Sequence, residues 1–426
     1  MLKTLSIDEL EVGMFVHDIK LKNNQHKVKN QGKVNSPRTI ALLKKQGAIS
    51  VVIKLDSNKA DLENSFTPAK APLSKAELDK KFSATMQSAN GSTNTHSNDT
   101  PTKDSSTKKD DSTNETTLSQ EFSQSCEIYD QATESVKALF SQASSGQKLT
   151  TDQVLILADE ITESVFRNEY AITILTRIRQ QSNYQWEHAI NTAILICGFG
   201  LYLGFKKSIV KQITLGALFH DIGLARVPQA ILEKPSTLTE NEMSVVKKHI
   251  SWGLEIGKRD NILNNVIIDM MVNHHERLDG SGYPRGLDES KLSKLAKMTA
   301  IVDVYDAMTG DRSYQKGISP MAAMRHLLSN KDKFDQELVQ QFIKYTGVYP
   351  VGSLVELSNE KLAIVTEGNR KEPLKPKLKM VYSTKLNGLI TPKSYDLQEQ
   401  DTTILSAVRG EDFNINLPKL IRNITM

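Results

Sequence analysis

Apolar residues recur at helical spacing through the middle of the chain and at strand spacing near its two ends. Ile128, Ala132, Val136 and Phe140 repeat at fours, as do Val154, Leu157, Ile161 and Val165, and Ile172, Leu175 and Ile178 follow the same period. Further helical patterns cover residues 186–202, 208–221, 240–258, 262–275, 291–309, 321–329 and 336–344. Thr239 and Ser319-Pro320 are helix-start signals, and Gly223 and Gly347 are stop signals. The pattern predicts a mainly α protein whose centre is one large all-α domain over residues 122–346.

The flanks differ. In residues 1–56, VGMFVHDI and VVIKL are β-type runs and TIALLKKQG has a helical spacing with a glycine stop, which predicts a small N-terminal α+β domain. Residues 57–121 are expected to form a disordered linker, because the stretch from Gln87 to Gln120 is almost wholly Ser, Thr, Asn, Asp, Lys and Gln. Such a segment cannot bury enough apolar surface to offset its ordering entropy. After Val348 the runs SLVEL, KLAIV and LKMVY predict a small β-rich C-terminal appendage, residues 347–426.

Composition narrows the function. The chain has 426 residues, with 54 basic and 50 acidic side chains and a formal charge of +4, too weak to suggest non-specific binding to DNA. Two cysteines, Cys126 and Cys197, exclude a disulfide scaffold or a cysteine-rich zinc module and read as free thiols in a reducing compartment. No run approaches the roughly 20 apolar residues a membrane span needs, and the N-terminus lacks a signal-peptide pattern. A cytoplasmic multidomain protein is expected.

The chemistry concentrates in histidine. Of nine histidines, five lie in the helical domain between positions 188 and 275: His188, His220, His249, His274 and His275. Two pairs stand out, His220-Asp221 within FHDIG and His274-His275 within NHHER, each at the end of an apolar helical run and before a turn-rich stretch. A single histidine near an apolar face is ordinary. Five of them beside an aspartate are costly to bury unless something pairs with them, and a metal does that. Imidazole and carboxylate suit Zn, Mn and Fe. A carboxylate can bridge two ions, and two ions about 3.5–4 Å apart are the usual apparatus for displacement at phosphorus.

HDIG at residues 220–223, together with HHERLDGSGYPRGL at 274–287, resembles the HD-GYP family, a branch of the HD metal-dependent phosphohydrolases. VPQAILEKPSTLTENE, KKHISWG and AIVDVYDAMTGDRSY extend the resemblance over residues 187–345, and residues 1–56 are similar to the small N-terminal domain often attached to such proteins. The resemblance implies an all-α helical bundle that hydrolyses cyclic di-GMP to the linear dinucleotide, and sometimes on to GMP, with two or three metals, often iron or manganese. Carried over residue by residue, the metal ligands are His188, His220, Asp221, His249, His274, His275 and Asp303. Asp221 is implied to bridge, with His188, His220 and Asp303 on one ion and His249, His274 and His275 on the other. His220 and Asp221 would be the catalytic core, with a metal-bridging hydroxide as nucleophile. Asp306 and Arg312 match positions associated with substrate, and Tyr283, Arg285, Lys316 and Arg226 are assigned to the substrate side.

Three departures from the family pattern bear on activity. Leu224 stands where a lysine usually follows HDIG, with Arg226 two residues on as a partial replacement. Gln315 replaces a usual cation and is followed by Lys316. Tyr184 stands where three-metal members carry a glutamate, although Glu187 directly precedes His188, and this favours two divalent ions over three. The expected function is a cyclic di-GMP phosphodiesterase. The alternative is a weak or inactive member that senses cyclic di-GMP or serves as an interaction module. A homodimer through the helices at residues 122–140 and 155–178, and a protein partner for the N-terminal domain, are further expectations. Lys247-Lys248 reads as a solvated helix face.

Overall fold

The computed structural model describes residues 2–7, 10, 14–21, 32–33, 43–44, 48–54, 116–177, 184–311, 316–399 and 401–424. The predicted linker lies largely outside the described residues, as do Arg312 and Gln315. The chain divides into two compact units, residues 1–102 and 103–426.

In the first unit, β1 (Leu2–Ser6), β2 (Phe15–Leu21), β3 (Gly32–Lys33) and β4 (Ala48–Lys54) form an antiparallel sheet in the order β1-β4-β2-β3. Ile7, Leu10, Val16, Ala48 and Val51 make its small core. Strand β1 was not anticipated, because LKTLS is too short and polar to show a period.

The second unit is a helical bundle with a sheet. Its helices are α1 (Leu118–Ser144), α2 (Asp152–Arg167), α3 (Glu169–Leu175), α4 (Tyr184–Tyr202), α5 (Lys207–Phe219), α6 (Gln229–Leu232), α7 (Glu240–Lys247), α8 (His249–Arg259), α9 (Asn265–Asn273), α10 (Lys294–Thr309), α11 (Pro320–Ser329) and α12 (Gln336–Thr346). Helix α4 is the hub. Its sequence is apolar on all sides, so every residue from Glu187 to Gly200 is buried, and α1, α2, α5, α10 and α12 pack around it. The site's first histidine, His188, enters the core on this helix.

Two sequence boundaries need correction. Helix α1 begins at Leu118 rather than Phe122, because Thr117 and Gln120 form a capping box that satisfies its first N–H groups. The extra turn buries Glu121, whose carboxylate accepts bonds from Arg167 Nε at 2.7 Å, Arg167 Nη2 at 2.8 Å and Ser164 Oγ at 2.8 Å. The pattern over 240–258 reads as one helix but is two, broken at Lys248, whose N–H bonds to Val245 and Val246 in a tighter turn. The break aims His249 inward at the start of α8.

The C-terminal part holds more structure than its three apolar runs predicted. Strands β5 (Leu354–Leu357), β6 (Lys361–Glu367), β7 (Lys377–Ser383), β8 (Gly388–Asp396) and β9 (Ile404–Ala407) form an antiparallel sheet in the order β8-β7-β6-β5-β9, and α13 (Leu417–Ile424) follows. Edge strand β8 is mostly exposed, which is why it left no hydrophobic signal. The sheet is tied to the bundle by Arg370 to Glu169 at 2.7 Å, Arg422 to Asp130 at 2.9 Å, and contacts of Glu411 with Lys316 and Arg409 with Gly317. No helix among the described residues is long and apolar enough to cross a membrane.

Candidate metal centre

Five segments bring the histidines and aspartates to one point. His188 lies on α4. His220 and Asp221 follow the last residue of α5, and His274 and His275 follow the last residue of α9. His249 opens α8, and Asp303 sits on α10. The chain can leave α5 so sharply because Gly223 lies against α8. A Cβ there would come within 1.8 Å of the His249 carbonyl oxygen and 2.6 Å of Gly253 N. That contact sets Asp221 against His249.

The potential ligand atoms fall into two groups. Asp221, His249, His274 and His275 form one, and His188, His220 and Asp303 the other, with the ligand atoms of each group within 4.8 Å of one another. Asp221 straddles the division. Its Oδ1 is 3.3 Å from His249 Nε2 and 3.4 Å from His274 Nε2, whereas its Oδ2 is 3.5 Å from His220 Nε2 and 3.9 Å from His188 Nε2. Asp303 also faces both ways, with Oδ1 3.0 Å from His188 Nε2 and Oδ2 3.9 Å from His275 Nδ1.

The ring tautomers are set from behind. His220 Nδ1 donates to the Ala217 carbonyl at 2.6 Å, His249 Nδ1 to Val246 at 2.7 Å, and His274 Nδ1 to Met270 at 3.0 Å. A carbonyl oxygen only accepts, so each Nδ1 carries a proton, and in the neutral ring each Nε2 turns a lone pair inward. His220 Nε2, His249 Nε2, His274 Nε2 and Asp221 Oδ1 are buried with no hydrogen-bond partner. Four such atoms converging on one point would be costly in an apolar core, and divalent cations would satisfy all of them. The residues present therefore fit a metal.

Protonation at His220, His249, His275, Asp221 and Asp303 agrees with that fit. Burial pushes His220 and His249 below the ordinary imidazole range, and burial with the adjacent His274 pushes His275 well below it. Burial opposes ionisation of Asp221 and Asp303, but the surrounding imidazoles overcome it and hold both carboxyls below the usual range. Burial likewise opposes the charge on His188 and His274. Tyr184, Asp303 and Asp306 outweigh it at His188, raising it well above the usual value, and Asp221 raises His274. Two anionic carboxylates among mainly neutral imidazoles form a donor set for a divalent cation.

Several residues assigned to substrate have partners within the chain. Asp306 is buried behind His188, its Oδ2 accepting from His188 Nδ1 at 2.7 Å, so its carboxylate orients that ring. Being one turn from Asp303 on α10, it clamps the opposite edge of the same imidazole. Arg226 pairs with Glu255, Arg285 donates to Asn273 Oδ1 at 2.7 Å, and Lys316 pairs with Glu411. Each of these cations is held on the surface by a neighbour the sequence did not connect to it. Arg312 lies outside the described residues.

Tyr283 is at the centre. Its ring stacks on His275 with centroids 4.6 Å apart and meets His249 edge-on at 6.5 Å. The preceding Gly282 is required, since a Cβ there would lie 2.4–2.5 Å from backbone atoms of Glu276, Arg277 and His275. The loop is pinned from within by buried Glu276, which accepts from Arg285 N at 2.8 Å and Leu287 N at 3.0 Å. Sequence reading missed Glu276, although its place beside the histidine pair and before a Gly/Pro loop was a usable signal. On the other side Tyr184 stacks on His188, with centroids 5.6 Å apart and planes within 5°.

Residues 176–338 match a family model described as HD domain, and residues 2–154 match a domain of unknown function, DUF3391. The chain is 34% identical over 280 residues to cyclic di-GMP phosphodiesterase PA4108 of Pseudomonas aeruginosa, covering 66% of this chain and 68% of that protein. This chain belongs to the HD-GYP family. Within the family it is also similar to cyclic di-GMP phosphodiesterase PdeB of Borreliella burgdorferi, 27% identical over 57% of this chain and 63% of that one. A third relative is 3'3'-cGAMP-specific phosphodiesterase 1 of Vibrio cholerae, 31% identical over 45% of this chain and 44% of that one. The HD match spans α4 to α12 and so contains every histidine and aspartate of the cluster.

Proposed function

We propose that this HD-GYP protein is a cytoplasmic, metal-dependent phosphodiesterase that hydrolyses cyclic di-GMP to the linear dinucleotide, and onward to GMP. The observation that carries the reading is the convergence of four unpartnered buried atoms, one each from His220, Asp221, His249 and His274. In this reading His188, His220 and Asp303 would hold one divalent cation and His249, His274 and His275 the other, with Asp221 placed between the two groups. Two cations in such a site, iron or manganese, would acidify water and neutralise charge developing on the phosphoryl oxygens.

The chain's own residues supply positioning and shielding. The carbonyls of Ala217, Val246 and Met270 hold three imidazoles in the tautomer that leaves Nε2 free, and Asp306 fixes the ring of His188. Tyr283 stacks on His275 and Tyr184 on His188, so an aromatic ring lies against each of these two imidazoles. Stacked rings of that kind also offer apolar faces beside a phosphodiester.

The test is direct. The full chain is purified anaerobically, its bound metal is measured, and it is incubated with cyclic di-GMP with and without added Mn or Fe(II). Linear dinucleotide with about two metals per chain supports the proposal. Metal occupancy with tight binding but no product would replace it by the sensor reading. Running 3'3'-cGAMP in parallel decides between the two substrates for which relatives are named.

A further inference from the structure

Tyr283 touches the cluster through its stack on His275, and its ring is also covered by the ammonium of Lys247, 4.9 Å from the centroid. Lys247 is the last residue of α7, two positions before His249. The capping box of Thr239 and Glu242 sets the start of that helix, with Thr239 N to Glu242 Oε2 at 2.7 Å. The helix end therefore delivers a cation to the Tyr283 side of the metal centre. Among the described residues no carboxylate pairs with it, whereas Arg226, Arg285 and Lys316 are each bonded to a surface partner.

A lysine resting on a tyrosine face gains little at an exposed position. The ring faces only one side of the ammonium, so N–H donors remain on its other sides. A phosphodiester is the anionic group that would complete such a site, since ammonium-to-phosphate bonds are stronger than neutral ones. We propose that Lys247 is a substrate-contact residue, its ammonium donating to a phosphate oxygen of the cyclic dinucleotide beside Tyr283. The proposal rests on the phosphodiesterase reading and names a residue that reading does not use.

The experiment compares metal-loaded full-length chains carrying Lys247→Met, Lys247→Arg and Lys248→Met. Equilibrium binding of cyclic di-GMP, KM, kcat and metal content are measured for each. Lys247→Met is expected to weaken binding and raise KM about 10- to 100-fold, the range for a hydrogen bond to a charged group. Its kcat should change less and its metal content not at all. Lys247→Arg should recover most of the loss, and Lys248→Met should behave as wild type. Wild-type binding by Lys247→Met overturns the proposal, as does an equal loss in Lys248→Met or a loss of metal in Lys247→Met. If the wild type binds cyclic di-GMP without cleaving it, the phosphodiesterase reading fails, and the binding series still decides Lys247. If the wild type neither binds nor cleaves it, both fail.

Discussion

His188 Nδ1 and Asp306 Oδ2 lie 2.7 Å apart, both buried, which makes Asp306 the residue that orients His188. Asp306→Asn keeps the shape and an accepting oxygen but removes the charge that holds the ring. Metal affinity should fall about 10- to 100-fold, the usual cost of losing such support, with the fold retained. Titration of the metal-free protein with Mn checks this. Unchanged affinity together with a raised KM would return Asp306 to the substrate.

Asp221 directs one oxygen to each ligand group, so a change there should affect both. Asp221→Asn would put an amide NH2, a donor, against imidazole lone pairs on one side. We expect less than one metal per chain and turnover at background. Chelation of the wild type should lower its Tm, because a ligand at 100 times its Kd contributes about 2.7 kcal/mol. The Tm of Asp221→Asn should not respond to the chelator. A variant that still binds two metals would show that Asp221 is not shared.

Gly282 sits where a Cβ would overlap backbone that cannot swing aside. Gly282→Ala should cost about 1–3 kcal/mol through displacement of the loop. Tyr283 would then leave His275. Far-ultraviolet circular dichroism should stay helical while KM rises. Wild-type kinetics would mean that the stack of Tyr283 on His275 does not matter to substrate.

Glu121 is 1% exposed and bonded to an Arg167 side chain that is 33% exposed. Breaking a buried pair costs about 3–5 kcal/mol, and the partial exposure of Arg167 lowers that to about 2–3. Glu121→Ala should therefore lower Tm by several degrees, with activity per folded molecule unchanged. A shift under one degree would show that the first turn of α1 is not docked.

Much of the cluster was legible in the sequence. His220-Asp221 and His274-His275 stand where apolar helical runs stop, and the structure places each pair immediately after a helix end. The central helix was legible too, since a stretch that is apolar all round has to be buried. Strand β8 and helix α13 were not. A polar edge strand leaves no period, and a helix as short as Leu417–Ile424 gives too few turns to establish one.

The same limit applied to direction. Asp303 and Asp306 are three residues apart on α10, so the helical period puts them on one face. Whether that face meets substrate or His188 depends on how α4 crosses it. Lys316 meets Glu411, 95 positions away, and no local pattern links the two. Lys247 reads as solvated and is exposed, and only the folded loop that carries Tyr283 puts a ring beside its ammonium.

By itself the sequence determined which residues are candidates for the cluster and which stretches are helical, because side-chain type and the 3.6-residue period are local properties. Only the tertiary structure decided which oxygen of Asp221 faces which group, that Asp306 lies behind a histidine, and that Lys247 meets the ring of Tyr283. Those are distances between segments far apart in the chain, and they exist only once the helices have packed.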